Sequence, residues 1–286
     1  MTIKTSFCSI AFRKSPYNIF DIMTIISNIG YDAIELWGNH LTDIDIDHLR
    51  EFMTDNDMTI SMISPYMDFT DSLDEMKASL IRAEKFVETA TKLSCRRIRV
   101  FTGIVGSAEA TVAQTDQAVR GLKELCEIDA SIDFALETHP KTLVDNVDST
   151  IALIEKVGMD NLKVNLDIYH MWEVHQETLT VLDRLFQFTT HIHAKNANLP
   201  PELSANNHPL LHDKQAAQDI VDVTYLNKGQ LEYDSFIEKL LDLGYDGYFS
   251  IEWFGHGVEQ AARHELEFVE SFTGSDQTLK QEISQR

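Results

Sequence analysis

The sequence predicts a single-domain α/β fold, a (β/α)8 TIM barrel. Short apolar runs alternate with longer helical patterns along the chain, the mark of βα units and a parallel sheet. The runs are "TSFCSI", "AIELW", "TISMIS", "RIRVFTG", "FALETH", "LKVNLD", "THIHAKN" and "YFSIEWF", eight in all. Their polar residues gather toward the C-terminal ends, where barrel active sites lie.

Each element has its own signal. The first helix places Ile19, Ile22, Met23, Ile26 and Ile29 on one face, with Pro16 before it and Gly30 to stop it. An internal echo supports repeated βα units: "GYDAIELWGNH" from Gly30 and "GYDGYFSIEWFGH" from Gly244 both run from a helix-ending Gly through a strand to a Glu and a Trp. The longest connection runs from Ala197 to about Leu231, with Pro200, Pro201, Pro209 and Gly229 and a short helix expected near Gln215 to Val221. Connections of that length in barrels are usually lids or binding loops. The barrel is expected over residues 1–272 and a polar tail over 273–286.

With 43% hydrophobic residues the chain can build one large core. Its 46 acidic and 24 basic residues give a formal charge of -22, which argues against nucleic-acid or anionic-membrane partners. Cys8, Cys95 and Cys126 are widely spaced and lack a CxxC pattern, as expected for free thiols in a reducing cytoplasm. No apolar run approaches the ~18 residues of a membrane helix, and the N-terminus lacks a long apolar leader core, so a cytoplasmic protein is expected.

Alternation along a strand puts residues two apart on one face. In "FALETH", Phe134 and Leu136 point to the helices while Ala135, Glu137 and His139 point to the barrel axis. The same rule turns Asn165 and Asp167 inward on the sixth run, His191, His193 and Lys195 on the seventh, and Ser250 and Glu252 on the eighth. Arg99 and Glu35 follow it too. Carboxylates converging on one axis resist ionisation unless a cation joins them. Glu137, Asp167, His193 and Glu252 therefore form a candidate set for one divalent ion, manganese first, with magnesium, cobalt or zinc able to substitute.

His139 and His170 are the candidate proton-transfer groups, and Lys195 and Arg99 the inward cations. Arg99 could instead pair with Glu35. Tyr66, Trp37, Trp253 and Phe254 could wall a pocket for a flat ring, and Glu35, Arg99, Tyr66, Trp37 and Phe254 are the expected substrate contacts. His40 and His256 are read as rim residues.

In order along the chain, "FCSIAFR", "IELWGNH", "ISMISPYMDF", "RIRVFTG", "LETHPKTLVDN", "LKVNLDIYHMWE", "HIHAKN" and "IEWFGH" resemble the sugar-phosphate isomerase/epimerase (xylose-isomerase-like) barrel superfamily. Within it they look like the bacterial 3-dehydroshikimate dehydratases of catechol-siderophore biosynthesis. The resemblance implies metal roles for Glu137, Asp167, His193 and Glu252 and active-site roles for His139, His170, Lys195 and Arg99. It implies metal-dependent loss of water from 3-dehydroshikimate to give protocatechuate, with a homodimer allowed. A sugar or inosose isomerase, epimerase or dehydratase would use the same metal set. A multi-zinc DNA endonuclease needs extra ligands and a basic face, and "ISMISPY" and "RIRVFTG" offer no histidine. A barrel that has lost catalysis would not need His139 and His170 beside the ligand types.

Overall fold

In the computed structural model, which describes residues 2–198 and 222–272, eight parallel strands close into a barrel. The barrel strands are β1 (Lys4–Cys8), β2 (Ala33–Trp37), β3 (Ile60–Ser64), β4 (Arg97–Val100), β5 (Asp133–Glu137), β6 (Leu162–Asp167), β7 (Thr189–Ala194) and β10 (Tyr248–Ile251). Neighbours pair in sequence order, and β10 closes on β1 with Ser6 opposite Ser250. Two short strands, β8 (Asn196–Asn198) and β9 (Asp222–Thr224), pair antiparallel at the base of the long connection. The short helix expected near Gln215, and the 273–286 tail, lie outside the described residues.

Helices α1 (Ile19–Ile29), α2 (Ile46–Asp55), α3 (Leu73–Lys92), α4 (Val112–Ile128), α5 (Val147–Val157), α7 (Thr178–Leu185), α8 (Tyr233–Asp242) and α9 (Val258–Glu270) are the outer layer, and α6 (Ile168–Glu173) is a short helix after β6. α1 shows why the layer forms where it does. Asn18 and Asp21 make a reciprocal capping box, Ile19, Ile22, Met23 and Ile26 are buried, and Gly30 closes the helix at φ +114°. The outward residues Phe134, Leu136, Val164, Leu166, Phe249 and Ile251 lie in one core with the helix faces. Burial of this apolar layer is the main stabilising term. No described helix is long and apolar enough to cross a membrane, and all three cysteines are free and buried.

The inward residues carry polar groups that bond across the axis. Ser6 and Ser61 hydroxyls meet at 2.7 Å, and Glu35 of β2 reaches the histidines of β7. The barrel interior is thus a hydrogen-bonded column with ligand-type side chains at its C-terminal end.

Candidate active site

Glu35 is the floor of the site. It is fully enclosed, and both oxygens are taken: Ser64 Oγ donates at 2.5 Å, Ser250 Oγ at 2.9 Å, His191 Nε2 lies at 3.0 Å, and His193 Nε2 lies at 2.9 Å. Burial alone would raise the Glu35 carboxyl, but the charge on His193 and the histidine hydrogen bonds outweigh it and hold it well below its usual value. The structure therefore departs from the expected substrate contact at Glu35. The side chain has no face toward a ligand, and it orients His191 and His193 instead.

With Nε2 committed to Glu35, His193 turns Nδ1 toward Glu137 Oε2 at 3.8 Å and Asp167 Oδ2 at 3.9 Å. Nδ1 of His193 and Oε2 of Glu137 are buried without a hydrogen-bond partner. Burial opposes charging this imidazole, yet the carboxylates of Glu35 and Glu137 raise it to about 9. Asp167, His193 and Glu252 present ligand atoms that all lie within 4.8 Å of one another. Ligand atoms about 2.1 Å from a shared ion are ~3 to 4 Å apart, so the donor set and spacing fit a divalent metal. Imidazole bonded to a buried carboxylate on its far nitrogen is the usual outer support of a metal ligand.

Local sequence explains how the strand ends meet. Asp167 ends β6 and caps α6, accepting the His170 amide at 3.2 Å, so the chain turns at once and His170 leans back over the strand end. Thr138 ties the ends of β5 and β6, donating to the Asp167 carbonyl at 3.1 Å and accepting the Asp167 amide at 2.9 Å. Tyr233 of α8 fixes Lys195, its hydroxyl accepting the Lys195 amide at 3.1 Å and donating to the carbonyl at 2.9 Å.

The proton-bearing groups crowd beside this cluster. Lys195 Nζ donates to Glu252 Oε2 at 2.6 Å and Asp167 Oδ2 at 2.7 Å, and meets His170 Nε2 at 2.9 Å. His170 Nδ1 lies 2.5 Å from Glu173 Oε2, a residue one helical turn on whose i,i+3 spacing is the sequence signal for this contact. The His139 ring packs 4.2 Å from that of His170, centroid to centroid. Its Nδ1 donates to the Pro140 carbonyl at 2.7 Å, which leaves Nε2 as the basic nitrogen. Burial, then the charges of His170 and Lys195, hold His139 well below its ordinary value.

Arg99 pairs with Glu137 rather than Glu35. Its Nη1 lies 3.1 Å from Glu137 Oε2, an ionic contact without hydrogen-bond alignment, while Nη2 donates to the Ser64 and Pro65 carbonyls at 3.4 and 3.3 Å. The guanidinium is buried under Tyr66 at 4.9 Å and Phe101 at 4.6 Å. Tyr66 stacks on Phe101 and is 46% exposed, a wall open to solvent. Phe254 is half-buried 5.6 Å from Lys195 Nζ, whereas Trp37 turns its ring edge-on to His40 and Trp253 stacks on Tyr225. Of the expected aromatic walls, Tyr66 and Phe254 reach the cluster's cations.

A family model described as xylose isomerase-like TIM barrel matches residues 23–272. The chain is 30% identical over 278 residues to a 3-dehydroshikimate dehydratase of Bacillus anthracis, covering 93% of this chain and 96% of that one. The crystal structure of the probable 3-DHS dehydratase AsbF of Bacillus anthracis, described as involved in petrobactin synthesis, superposes with a TM-score of 0.83 at 28% identity, over 96% of this chain and all (100%) of that one. A D-allulose 3-epimerase of Methylomonas sp. gives a TM-score of 0.76 at 14% identity, covering 94% and 97% of the two chains, a likeness of fold alone.

Proposed function

Because the chain belongs to the xylose isomerase-like TIM barrel family, we propose that it is a hydro-lyase that converts 3-dehydroshikimate to 3,4-dihydroxybenzoate and water. The similarity to the Bacillus anthracis dehydratase over nearly the whole chain supports this reading. The observation that carries it is the pair of imidazoles, His139 and His170, 4.2 Å apart beside a ligand cluster that uses neither His139 nor Lys195. Ligand atoms of His170, Glu137 and Asp167 also lie within 4.8 Å of one another, so His170 borders the ligand cluster while His139 stands outside the candidate ligand groups.

Glu137, Asp167, His193 and Glu252 would hold the divalent ion, with manganese the first choice. When bound, the ion supplies a Lewis acid that polarises the substrate ketone. The side chains do the rest. His139 Nε2, free because Nδ1 is engaged by Pro140, takes the proton on the carbon between the ketone and the carbon bearing the leaving hydroxyl. Lys195 and His170, in contact at 2.9 Å, give the proton with which that hydroxyl departs as water. Transfer of one further ring proton to the former ketone oxygen completes the aromatic catechol. One water leaves and no electron acceptor is consumed.

The test is to strip the protein of metal, add 3-dehydroshikimate with and without manganese, and follow the ultraviolet absorbance of the catechol product. Manganese-dependent aromatisation is expected. Silence with metal bound would overturn the reading and direct the search to ketoses and inosose-like ketones.

A further inference from the structure

A dehydratase acting on 3-dehydroshikimate must hold a carboxylate, and the two inward cations are already committed. Arg99 is buried against Glu137, and Lys195 is enclosed by Asp167, Glu252 and His170. A third cation stands at the mouth. Arg13 follows β1 on the C-terminal side of the barrel and is half-buried, and no carboxylate among the described residues lies within ion-pair distance of it. Its guanidinium lies 4.7 Å from the centre of the Phe254 ring, the same ring that Lys195 approaches at 5.6 Å. Nη1 and Nη2 reach only the carbonyls of Ile10 and Phe254, each at 3.4 Å. Five N–H donors in a planar fork are thus held on an aromatic face with at most two long, neutral contacts, which leaves the fork free to take a carboxylate.

Resting on the dehydratase reading, we infer that Arg13 is the specificity-determining residue that binds the substrate carboxylate, with Phe254 as the platform that aims it. The arrangement divides the labour: Arg99 and Lys195 neutralise the carboxylates of the ligand cluster, and Arg13 selects for an acid at the opposite edge of the ring. A neutral ring of the same shape gains nothing from it.

The experiment measures, on the manganese-loaded full chain, binding of 3,4-dihydroxybenzoate and of its neutral isostere 3,4-dihydroxybenzamide by calorimetry, together with turnover of 3-dehydroshikimate. In Arg13→Gln the benzoate is expected to bind at least about tenfold more weakly while the benzamide is unchanged, with KM raised more than kcat is lowered. Arg13→Lys should restore part of the loss, because it keeps charge without the fork. If Arg13→Gln weakens benzoate and benzamide equally, the arginine only supports Phe254 and the inference falls. If wild type aromatises 3-dehydroshikimate but Arg13→Gln leaves benzoate affinity and KM unchanged, the inference alone falls. If the wild-type protein with metal bound does not aromatise it, the dehydratase reading falls and takes this inference with it.

Discussion

Glu35 receives the Nε2 of both His191 and His193, so one carboxylate sets the orientation of two rings. Replacing it with Ala leaves two buried imidazole nitrogens and two serine hydroxyls without their acceptor. Glu35→Ala should weaken manganese binding by about 10- to 100-fold, read by competition with a chelating dye, with the far-ultraviolet dichroism of the barrel retained. The proposed division between ligand and base makes a second residue-scale prediction. Glu252→Ala should abolish metal binding and turnover together, whereas His139→Ala should keep the metal and lose roughly 10²- to 10⁴-fold in rate. A His139→Ala enzyme with an undiminished rate would remove that residue from the proton transfers. Much of this cluster was legible because alternation and strand ends are local signals: Glu137, Asp167, His193 and Glu252 followed from counting by twos. The role of Glu35 was not legible, since it depends on β2 and β7 facing each other across the axis, 156 and 158 residues apart in the chain.

Among the elements, the connection between β7 and β10 is the most elaborate, and its returning limb is tied down by side chains on either side. Asn196 donates to the carbonyls of Leu226 and Leu231 at 2.8 Å each and accepts the Leu231 amide at 3.1 Å. Gly229 is required beside it, since a Cβ there would come within 2.0 Å of the Asn196 side chain. Asn196→Ala strands two buried carbonyls and should cost about 2 to 5 kcal/mol in urea unfolding. From α9, buried Glu265 accepts the Leu226 amide at 3.0 Å, and burial pushes its carboxyl up to about 8. An unfolded glutamate titrates at about 4.5, so the folded chain holds this proton more tightly and the resulting stability is full at low pH. It is lost as pH rises from about 4.5 through about 8. Glu265→Gln should therefore gain on wild type across that window by up to about 1.4 kcal/mol per pH unit, seen in paired melting curves. Element ends were harder to read than their existence. "TSFCSI" reads as one strand, yet Ser9–Phe12 is a 3-10 turn, because Ser9 Oγ accepts the Trp37 amide at 2.8 Å and meets His40 Nδ1 at 3.1 Å. "RIRVFTG" stops at Val100, ahead of Gly103 at φ +132°, where a Cβ would fall 1.9 Å from Thr70 Oγ1.

Across the whole molecule, the eight-stranded closure and its order were readable because each βα unit carries its own period and punctuation. The partner of Arg99 was not, because two inward carboxylates lay within reach of the same reasoning and only the barrel's register separates Glu137 from Glu35. Since the proposed ligands come from β5, β6, β7 and the end of β10, a bound ion would clasp half of the barrel's staves. Manganese at a thousand times its dissociation constant should add about 4 kcal/mol, and chelation should lower Tm by roughly 8 to 16 °C in calorimetry. A melting temperature indifferent to chelation would count against a metal at this site. The same closure has a consequence for biosynthesis. In a chain made only as far as β7, the β1 and β7 edges would lack their shared partner β10 and Glu252 would be missing. Adding β10 would pair both edges and supply the fourth proposed ligand together, so tight metal capture would be coupled to closure of the barrel.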